Sequence, residues 1–367
     1  MEGNQEPVRF GIMGCARIAR KICRAIKLAP NATLHAIASR SLQKAEAFAT
    51  KNGLNEAISV KIYGTYIELL DDPDVDAVYM PLPTSLHVEW AVLAAFKKKH
   101  LLLEKPTALD SAQLDQILKA CDINGVQFMD GTMWYHHPRT AKIHQIISDS
   151  TIFGHICSVC CASSFLADPE FLDSNIRINP ECDALGALGD LGWYCIGLIL
   201  WVVNYKMPTY VTALPEATLN SKGVILGCNA SFHWEEEPKT NATFYRSFLS
   251  HVSMDLTVCG SNGSVRLHDQ AIPYQESSAS FFLTTGVKCV DVQTEGSVEP
   301  VEVVVESQLP QEGLMVQEFA RLVKGVKNSE RWCDRRWGEI SRKTQLGLDA
   351  VRQSIELGFK PVFMQQD

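Results

Sequence analysis

A doubly wound parallel α/β domain followed by an α+β domain with a large, mostly antiparallel open sheet is the architecture this sequence predicts. Three observations predict it. The 367 residues exceed what a single core fills, so two domains are expected. From Val8 to about Met129, short apolar runs alternate with amphipathic stretches, the pattern of right-handed βαβ crossovers. Beyond Trp134 the texture changes to segments of alternating polarity punctuated by turn signals such as Ser261-Asn262-Gly263. The expected domains are residues 1–133 and 134–367.

The elements follow in order. VRFGIM opens as a strand, ARIARKICRAIKLA continues as a helix, TLHAIAS is the second strand and SLQKAEAFATKNG the helix after it. VDAVYMPLP, SLHVEWAVLAAFKKK, HLLLEKP, SAQLDQILKACDING and VQFMD extend the series. In the second part a helical stretch, TAKIHQIISDS, gives way to the strand patterns ICSVCCASSF, VTALPEATL, GVILGCNASFHWE, SHVSMDLTVCG, GSVRLHD and EPVEVVVES. One helix is expected among them, from about Gly186 to Val202. Helical periodicity returns in LMVQEFARLVKGVK and in RWGEISRKTQLGLDAVRQSIELG, which stops at Gly358 before Pro361.

Composition narrows the function classes. With 46% apolar and 21% charged residues the chain is globular, and a net charge of −8 argues against a nucleic-acid partner. The start MEGNQEP has neither a basic nor an apolar region of a secretory signal, so the twelve cysteines are read as reduced thiols of a cytoplasmic protein. The sequons at Asn31, Asn229, Asn241 and Asn262 are then expected to be unused. The apolar run Ile196–Val203 is too short to span a bilayer. Cys157, Cys160 and Cys161 in CSVCC lack a second pair at metal spacing, and no metal is expected.

Several stretches carry chemistry. In GIMGCARIA, Gly14 takes the place of the glycine that makes a phosphate-binding turn, while Ala16 and Ala19 stand where two further glycines are usual. Each alanine adds one methyl to a helix start whose free amides survive the change, so the turn reads as a phosphate cradle or as plain strand-to-helix packing. The second strand ends in Ser39-Arg40-Ser41, with no acidic residue to hold a ribose 2′-hydroxyl. Arg40, with Lys44 one helical turn on, suits a 2′-phosphate, the alternative being solvated surface charge. Met80-Pro81-Leu82-Pro83-Thr84 forms a stiff ledge at the end of the fourth strand, and His87 in the following helix faces either a cofactor or water. HLLLEKP brings Glu104 and Lys105 to the carboxyl end of the fifth strand, where open α/β sheets bind ligands; an interdomain ion pair is the other reading. In LGALGDLGWYCIGLILW, Asp190 and Tyr194 share a helical face as i and i+4 and form a candidate acid–base pair; a capping carboxylate and a core aromatic would share the same spacing. His136 and His137, after Trp134 and Tyr135, line a substrate cleft or are structural.

GIMGCARIA, SRS, YGTYIELLDDPDVDAVYMPLPTSLH, EKP and GDLGWY, in this order, resemble the Gfo/Idh/MocA oxidoreductases over nearly the whole chain, and most of all the branch of dimeric dihydrodiol dehydrogenases, NADP-dependent xylose dehydrogenases and their plant relatives. The resemblance implies an N-terminal Rossmann domain and a C-terminal domain whose open sheet forms homodimers or homotetramers. It also implies that the last helix, about 336–357, packs back on the first domain. Gly11, Gly14, Ala16, Arg17 and Ile18 would surround a pyrophosphate, and Ser39, Arg40 and Lys44 the adenosine phosphate of NADP(H), preferred over NAD(H). Pro81, Leu82, Thr84, His87, Glu104, Lys105 and Trp134 would line the rest of the cofactor. Lys105, Asp190 and Tyr194 match the family's catalytic positions, with Arg177, Asp190 and Tyr194 toward the substrate. Where many relatives carry a glycine run, this chain has Cys182-Asp183-Ala184-Leu185-Gly186.

The implied function is transfer of hydride between NADP(H) and a carbinol or carbonyl carbon of a sugar, a cyclic diol or a similar polar molecule, with no nucleic-acid or membrane partner. The alternatives are a lyase or glycosidase that retains and recycles its nicotinamide, and a catalytically silent scaffold.

Overall fold

The computed structural model describes residues 6–54, 60–286, 299–330 and 332–365. The chain divides into two compact units, one taking the chain up to His136 together with Leu309–Arg342, the other His137–Gln308 with Lys343 onward.

The first unit holds strands β1 (Val8–Met13), β2 (Ala32–Ala38), β3 (Lys61–Tyr63), β4 (Ala77–Met80), β5 (His100–Leu103) and β6 (Phe128–Asp130). Between them run α1 (Ala19–Leu28), α2 (Leu42–Lys51), α3 (Tyr66–Asp71), α4 (His87–Phe96) and α5 (Ser111–Asn124). All pairings are parallel and the order is β3-β2-β1-β4-β5-β6, so the strand order reverses between β1 and β4. Ligands bind open sheets at that reversal. The strands read as nearly continuous apolar runs because helices cover both faces. Arg9 is the polar exception in β1, and it lies between Asp76 at 3.2 Å and Asp74 at 2.9 Å. The helix ends are chemically marked: Thr65 and Glu68 form a capping box on α3, Asp110 caps α5, and Gly125 stops α5 at φ 64°.

The second unit contains α6 (Pro138–Ile147), β7 (Ile156–Leu166), α7 (Pro169–Ser174), α8 (Gly186–Asp190) and α9 (Gly192–Val202). Its further strands are β8 (Tyr210–Ala213), β9 (Thr218–Leu219), β10 (Ile225–Trp234), β11 (Thr240–Ser247), β12 (Leu249–Gly260), β13 (Gly263–Leu267), β14 (Ser278–Thr285), β15 (Val301–Glu306) and β16 (Val362–Phe363). They form one sheet in the order β15-β14-β13-β12-β7-β11-β10-β8-β16, with β9 on β10. The β7–β11 pair is parallel and the other pairs are antiparallel. Every residue of α9 is buried, as is the alternating inner row Ala230, Phe232, Ala242, Phe244, Val159, Cys161, Leu256 and Val258.

Two expectations are corrected. The segment 134–367 is not one continuous domain, because α10 (Gln311–Lys327) and the start of α11 (Arg336–Glu356) belong to the first unit. Phe319 of α10 sits 5.9 Å from Phe10, Glu312 pairs with Lys21, and Gln317 accepts from Asn31 at 2.9 Å. At the start of α11, Arg342 meets Asp115 at 2.7 Å, and Asp334 and Gln127 exchange two hydrogen bonds. Sequence periodicity shows that these helices have an apolar face but not what covers it. The second correction is that the helix expected over 186–202 is interrupted at Leu191, between Gly189 and Gly192, whose weak helix preference lets the turn distort.

Candidate active site

The phosphate turn is open to a ligand. Gly14 has φ +118°, a backbone that side chains rarely adopt, and a Cβ there would lie 3.0 Å from Leu82. This glycine is therefore required, whereas Ala16, Arg17 and Ile18 are half-exposed or exposed and follow with ordinary geometry into α1. Ile18 at the helix start makes no side-chain cap and the first turn of α1 holds no acidic residue, so the positive helix end remains available to an anion, although the Ala19 and Lys21 amides already donate to Ala16 O and Ile18 O. Gly11 is different. It lies inside β1, opposite Ala36 and Val78, with Leu69 packed 2.9 Å from where its Cβ would be, so it serves packing and is not part of the turn.

At the end of β2 a polar cluster forms. Arg40 and Lys44 are exposed and Ser39 is buried. The Tyr66 hydroxyl hydrogen-bonds Arg40; burial raises its pKa and the Arg40 charge partly offsets this. Burial likewise pushes the Cys15 thiol up, against a hydrogen bond with Ser39 and the charge of Lys44. Tyr66 and Cys15 were not found by sequence reading, since the first stands on α3 and the second inside the turn, and only the crossover brings them to Arg40.

The ledge after β4 reaches the turn, with Pro81 O 3.6 Å from the position a Cβ on Gly14 would take. Thr84 and His87 are buried. His87 turns its ring nitrogens to main chain and not to water: its Nδ1 lies 3.1 Å from Thr107 O and its Nε2 2.9 Å from Leu82 O. It ties the ledge to the loop behind Lys105. Glu104 is buried, accepts from the Tyr79 hydroxyl through one oxygen and from the Lys105 backbone N–H through the other, at 3.1 Å. A Cβ on Gly131 would come 3.1 Å from Glu104 Oε1, so Gly131 leaves that carboxylate its room. Lys105 is half-buried and precedes a cis proline. Trp134 is buried against Tyr135, with ring centroids 3.9 Å apart. Beside it Asp130 is fully buried, its pKa raised by burial and partly restored by Ser341 and by the Thr132 N–H at 2.8 Å.

In the second unit the structure joins two residues that the sequence left separate. Arg177 Nε lies 2.9 Å from Asp190 Oδ2. Tyr194 stands near the start of α9 and is 9% exposed. In the segment that replaces the glycine run, Ala184 takes φ 49° and Gly186 φ 56°, where a Cβ would lie 2.0 Å from Ile225 O. Asp183, just before them, is buried. The two histidines prove structural. His136 stacks on Trp337 at 4.9 Å, and burial, with help from Arg336, drops its pKa to about 3. His137 Nδ1 accepts the Arg139 N–H at 3.0 Å, and burial, with Arg139 beside it, brings its pKa to about 4.

One cluster has the shape of a cation site. His35, Asp72 and Asp74 lie together in the first unit, but Lys61 sits 3.1 Å from both carboxylates and the Tyr63 hydroxyl 3.0 Å from Asp72. A protein cation already holds the position.

With this geometry the chain can be compared with known proteins. Residues 8–132 match the model of an oxidoreductase family with an NAD-binding Rossmann fold. The chain's first domain belongs to the Gfo/Idh/MocA oxidoreductases. The resemblance read from its motifs is borne out. Its relatives include a dTDP-3,4-didehydro-2,6-dideoxy-alpha-D-glucose 3-reductase of Actinomadura kijaniata, 36% identical over 53% of this chain and 55% of that one. A D-xylose 1-dehydrogenase (NADP(+)) of Haloferax volcanii is 35% identical over 51% and 54%. The matched stretches thus span about half the length of these relatives. The crystal structure of a 3-ketoreductase from Actinomadura kijaniata, in complex with NADP and TDP-benzene, superposes with a TM-score of 0.78 at 25% identity, covering 95% of this chain and 98% of that one. The expected fold class is met in both parts. Among the described residues no helix is long and apolar enough to cross a membrane.

Proposed function

We propose that the protein is an NADP(H)-dependent oxidoreductase that interconverts a carbinol and a carbonyl on a sugar, a cyclic diol or a similar polar molecule. The observation that carries this reading is the cluster at the end of β2. Arg40, Lys44 and Ser39, backed by Tyr66, offer cationic and hydroxyl donors where a 2′-hydroxyl reader would carry a carboxylate. The turn fits a dinucleotide: a glycine at positive φ, an uncapped helix start and a ledge closing over it. The bound NADP of the ketoreductase and the name of the xylose dehydrogenase support the same choice.

When bound, NADP(H) supplies or accepts the hydride. In this reading the Tyr194 phenol exchanges the proton of the substrate oxygen, the Lys105 ammonium orients that oxygen, and Asp190 holds the substrate. Arg177, paired with Asp190, fixes the direction in which that carboxylate points. Glu104, fixed by Tyr79, holds the backbone from which Lys105 projects. Self-association through the open sheet of the second unit belongs to the proposal; Leu166, Tyr245 and Val252 are exposed on β7, β11 and β12.

The test is a fluorescence titration with NADPH and with NADH, repeated on Arg40→Ala, followed by reduced-nicotinamide absorbance with a panel of sugars and diols. Selective loss of NADPH binding in the variant, with net absorbance change on a sugar or diol, supports the reading. Binding without net change but with cleavage of the substrate would replace it by the recycled-nicotinamide lyase, and no binding of either nucleotide by the scaffold.

A further inference from the structure

Arg246 is the anomaly of the second unit. It stands on the inner row of β11 with Ala242 and Phe244 and is completely buried. Its Nη1 donates to the carbonyls of Tyr245 and Cys161, and its guanidinium lies 4.4 Å from the centroid of the Phe244 ring. Its Nε and Nη2 have no hydrogen-bond partner, and no carboxylate pairs with it among the described residues. A bare guanidinium in a protein interior is costly, and such charges are found paired. An anion is missing from the inventory unless one of the neighbouring groups supplies it.

The neighbours are sulfur. Cys161 on β7, Cys195 on α9 and Cys228 on β10 are all buried, and all feel the Arg246 charge. The Gln270 side chain bridges two of them with opposite polarity. Its Nε2 donates to Cys195 Sγ at 3.1 Å, while its Oε1 accepts from Cys161 Sγ at 3.4 Å. Cys161 and Cys195 also lie close enough to interact directly. Cys161 gives its single proton to the amide oxygen and Cys195 accepts from the amide nitrogen, so one sulfur is a donor and the other an acceptor. The energetics follow the geometry. Burial pushes Cys161 well above the usual thiol value and Cys228 up to about 12. At Cys195 burial acts the same way, but the interaction with Cys161, the Arg246 charge and the Gln270 amide together overcome it, and the thiol moves down.

We propose that Cys195 is the thiolate counter-ion of Arg246, and that with Cys161 it forms a redox-active pair that closes to a disulfide when a hydroperoxide reaches it. A thiolate is the nucleophilic form of cysteine, so Cys195 is the sulfur that reacts first. It attacks one oxygen of hydrogen peroxide, the O–O bond breaks, hydroxide leaves, and Cys195 becomes a sulfenic acid. Cys161 then attacks the Cys195 sulfur, its proton leaves with the hydroxyl as water, and the S–S bond forms. Both electrons lost by the sulfurs go to the peroxide. Closure ties β7 to α9 one residue from Tyr194 and removes the anion that Arg246 depends on.

The experiment uses the full chain. Reduced protein at neutral pH is compared with Cys195→Ser and Arg246→Met by the ultraviolet absorbance of thiolates, and each is treated with hydrogen peroxide and mapped by peptide mass spectrometry without reduction. The wild type is expected to show a thiolate band that both substitutions remove, and a Cys161–Cys195 disulfide that thioredoxin or a dithiol reverses. Cys195→Ser strands the arginine and is expected to melt earlier than wild type, with Arg246→Met in the same chain restoring the loss; this double variant keeps the test usable if the single one folds poorly. A wild-type spectrum unchanged by Cys195→Ser would overturn the charge pair. Peroxide treatment that leaves both cysteines unlinked, or links either to a different partner, would overturn the redox pair.

Discussion

The two units hold their candidate functional groups by different means. In the first, the candidate phosphate turn is built from main chain, with a glycine at φ +118°, an uncapped helix start, a proline ledge and a buried histidine between two carbonyls, and the side chains Arg40 and Lys44 stand beside it. In the second, the candidate groups are side chains braced by other side chains, Asp190 by Arg177 and Cys195 by Gln270. A site built from backbone tolerates drift in sequence as long as the chain path is kept, while one built from paired side chains changes its chemistry with a single substitution. The first unit is therefore suited to a constant cofactor and the second to a substrate that varies between relatives.

The comparison can be broken most severely at the chemistry. Tyr194→Phe and Lys105→Met are each expected to lower turnover by about 10²–10⁴-fold. Nucleotide affinity should stay within a few-fold in a binding titration; loss of binding by both would remove the division of labour. Next in size is cofactor choice. Arg40→Ala removes charge-assisted hydrogen bonds worth about 1.5–3 kcal/mol, so the NADPH dissociation constant should rise by roughly 10–100-fold while that of NADH stays. Acid sensitivity follows. The Asp72 carboxyl is opposed by burial but held down to about 2 by the Asp74 N–H, Lys61 and Tyr63, against an ordinary 3.8. Its stabilising contribution, about 2 kcal/mol, is present above pH 4 and is lost as pH falls toward 2. Urea midpoints measured across that range should converge for wild type and Asp72→Asn. The smallest effect is Ala184→Gly. Relief of the left-handed backbone, about 1–2 kcal/mol, is partly offset by the extra freedom of glycine in the unfolded chain, leaving about 0.5 kcal/mol of stabilisation readable as a rise in melting temperature.

Much of the first unit could be read from sequence because its signals are local. A turn glycine, the end of a strand and the Glu104-Lys105-Pro106 step each sit within a few residues of the element that places them. What escaped was what crossovers assemble. Tyr66 joins Arg40 from another helix, Tyr79 supports Glu104 from the adjacent strand, and His87 turned inward because two carbonyls converge on it. In the second unit the candidates Arg177, Asp190 and Tyr194 were visible as residue types, but the Arg177–Asp190 pair was not, since it depends on how the segment between them folds back. The break at Leu191 was hidden because flanking glycines weaken a helix without marking where it parts.

The return of Leu309–Arg342 to the first unit bears on how the chain matures at the ribosome. When His136 emerges, β1 and α1 are complete, yet α10, which covers Phe10 and pairs with Lys21, has not been made. All of the second sheet but β16 is translated in between, a delay on the order of ten seconds at typical elongation rates. During that interval the nascent first unit shows an apolar face to solvent or to a holding chaperone. A nascent chain arrested before Leu309 is expected to remain protease-sensitive in its first unit, and one released beyond Arg342 to become resistant.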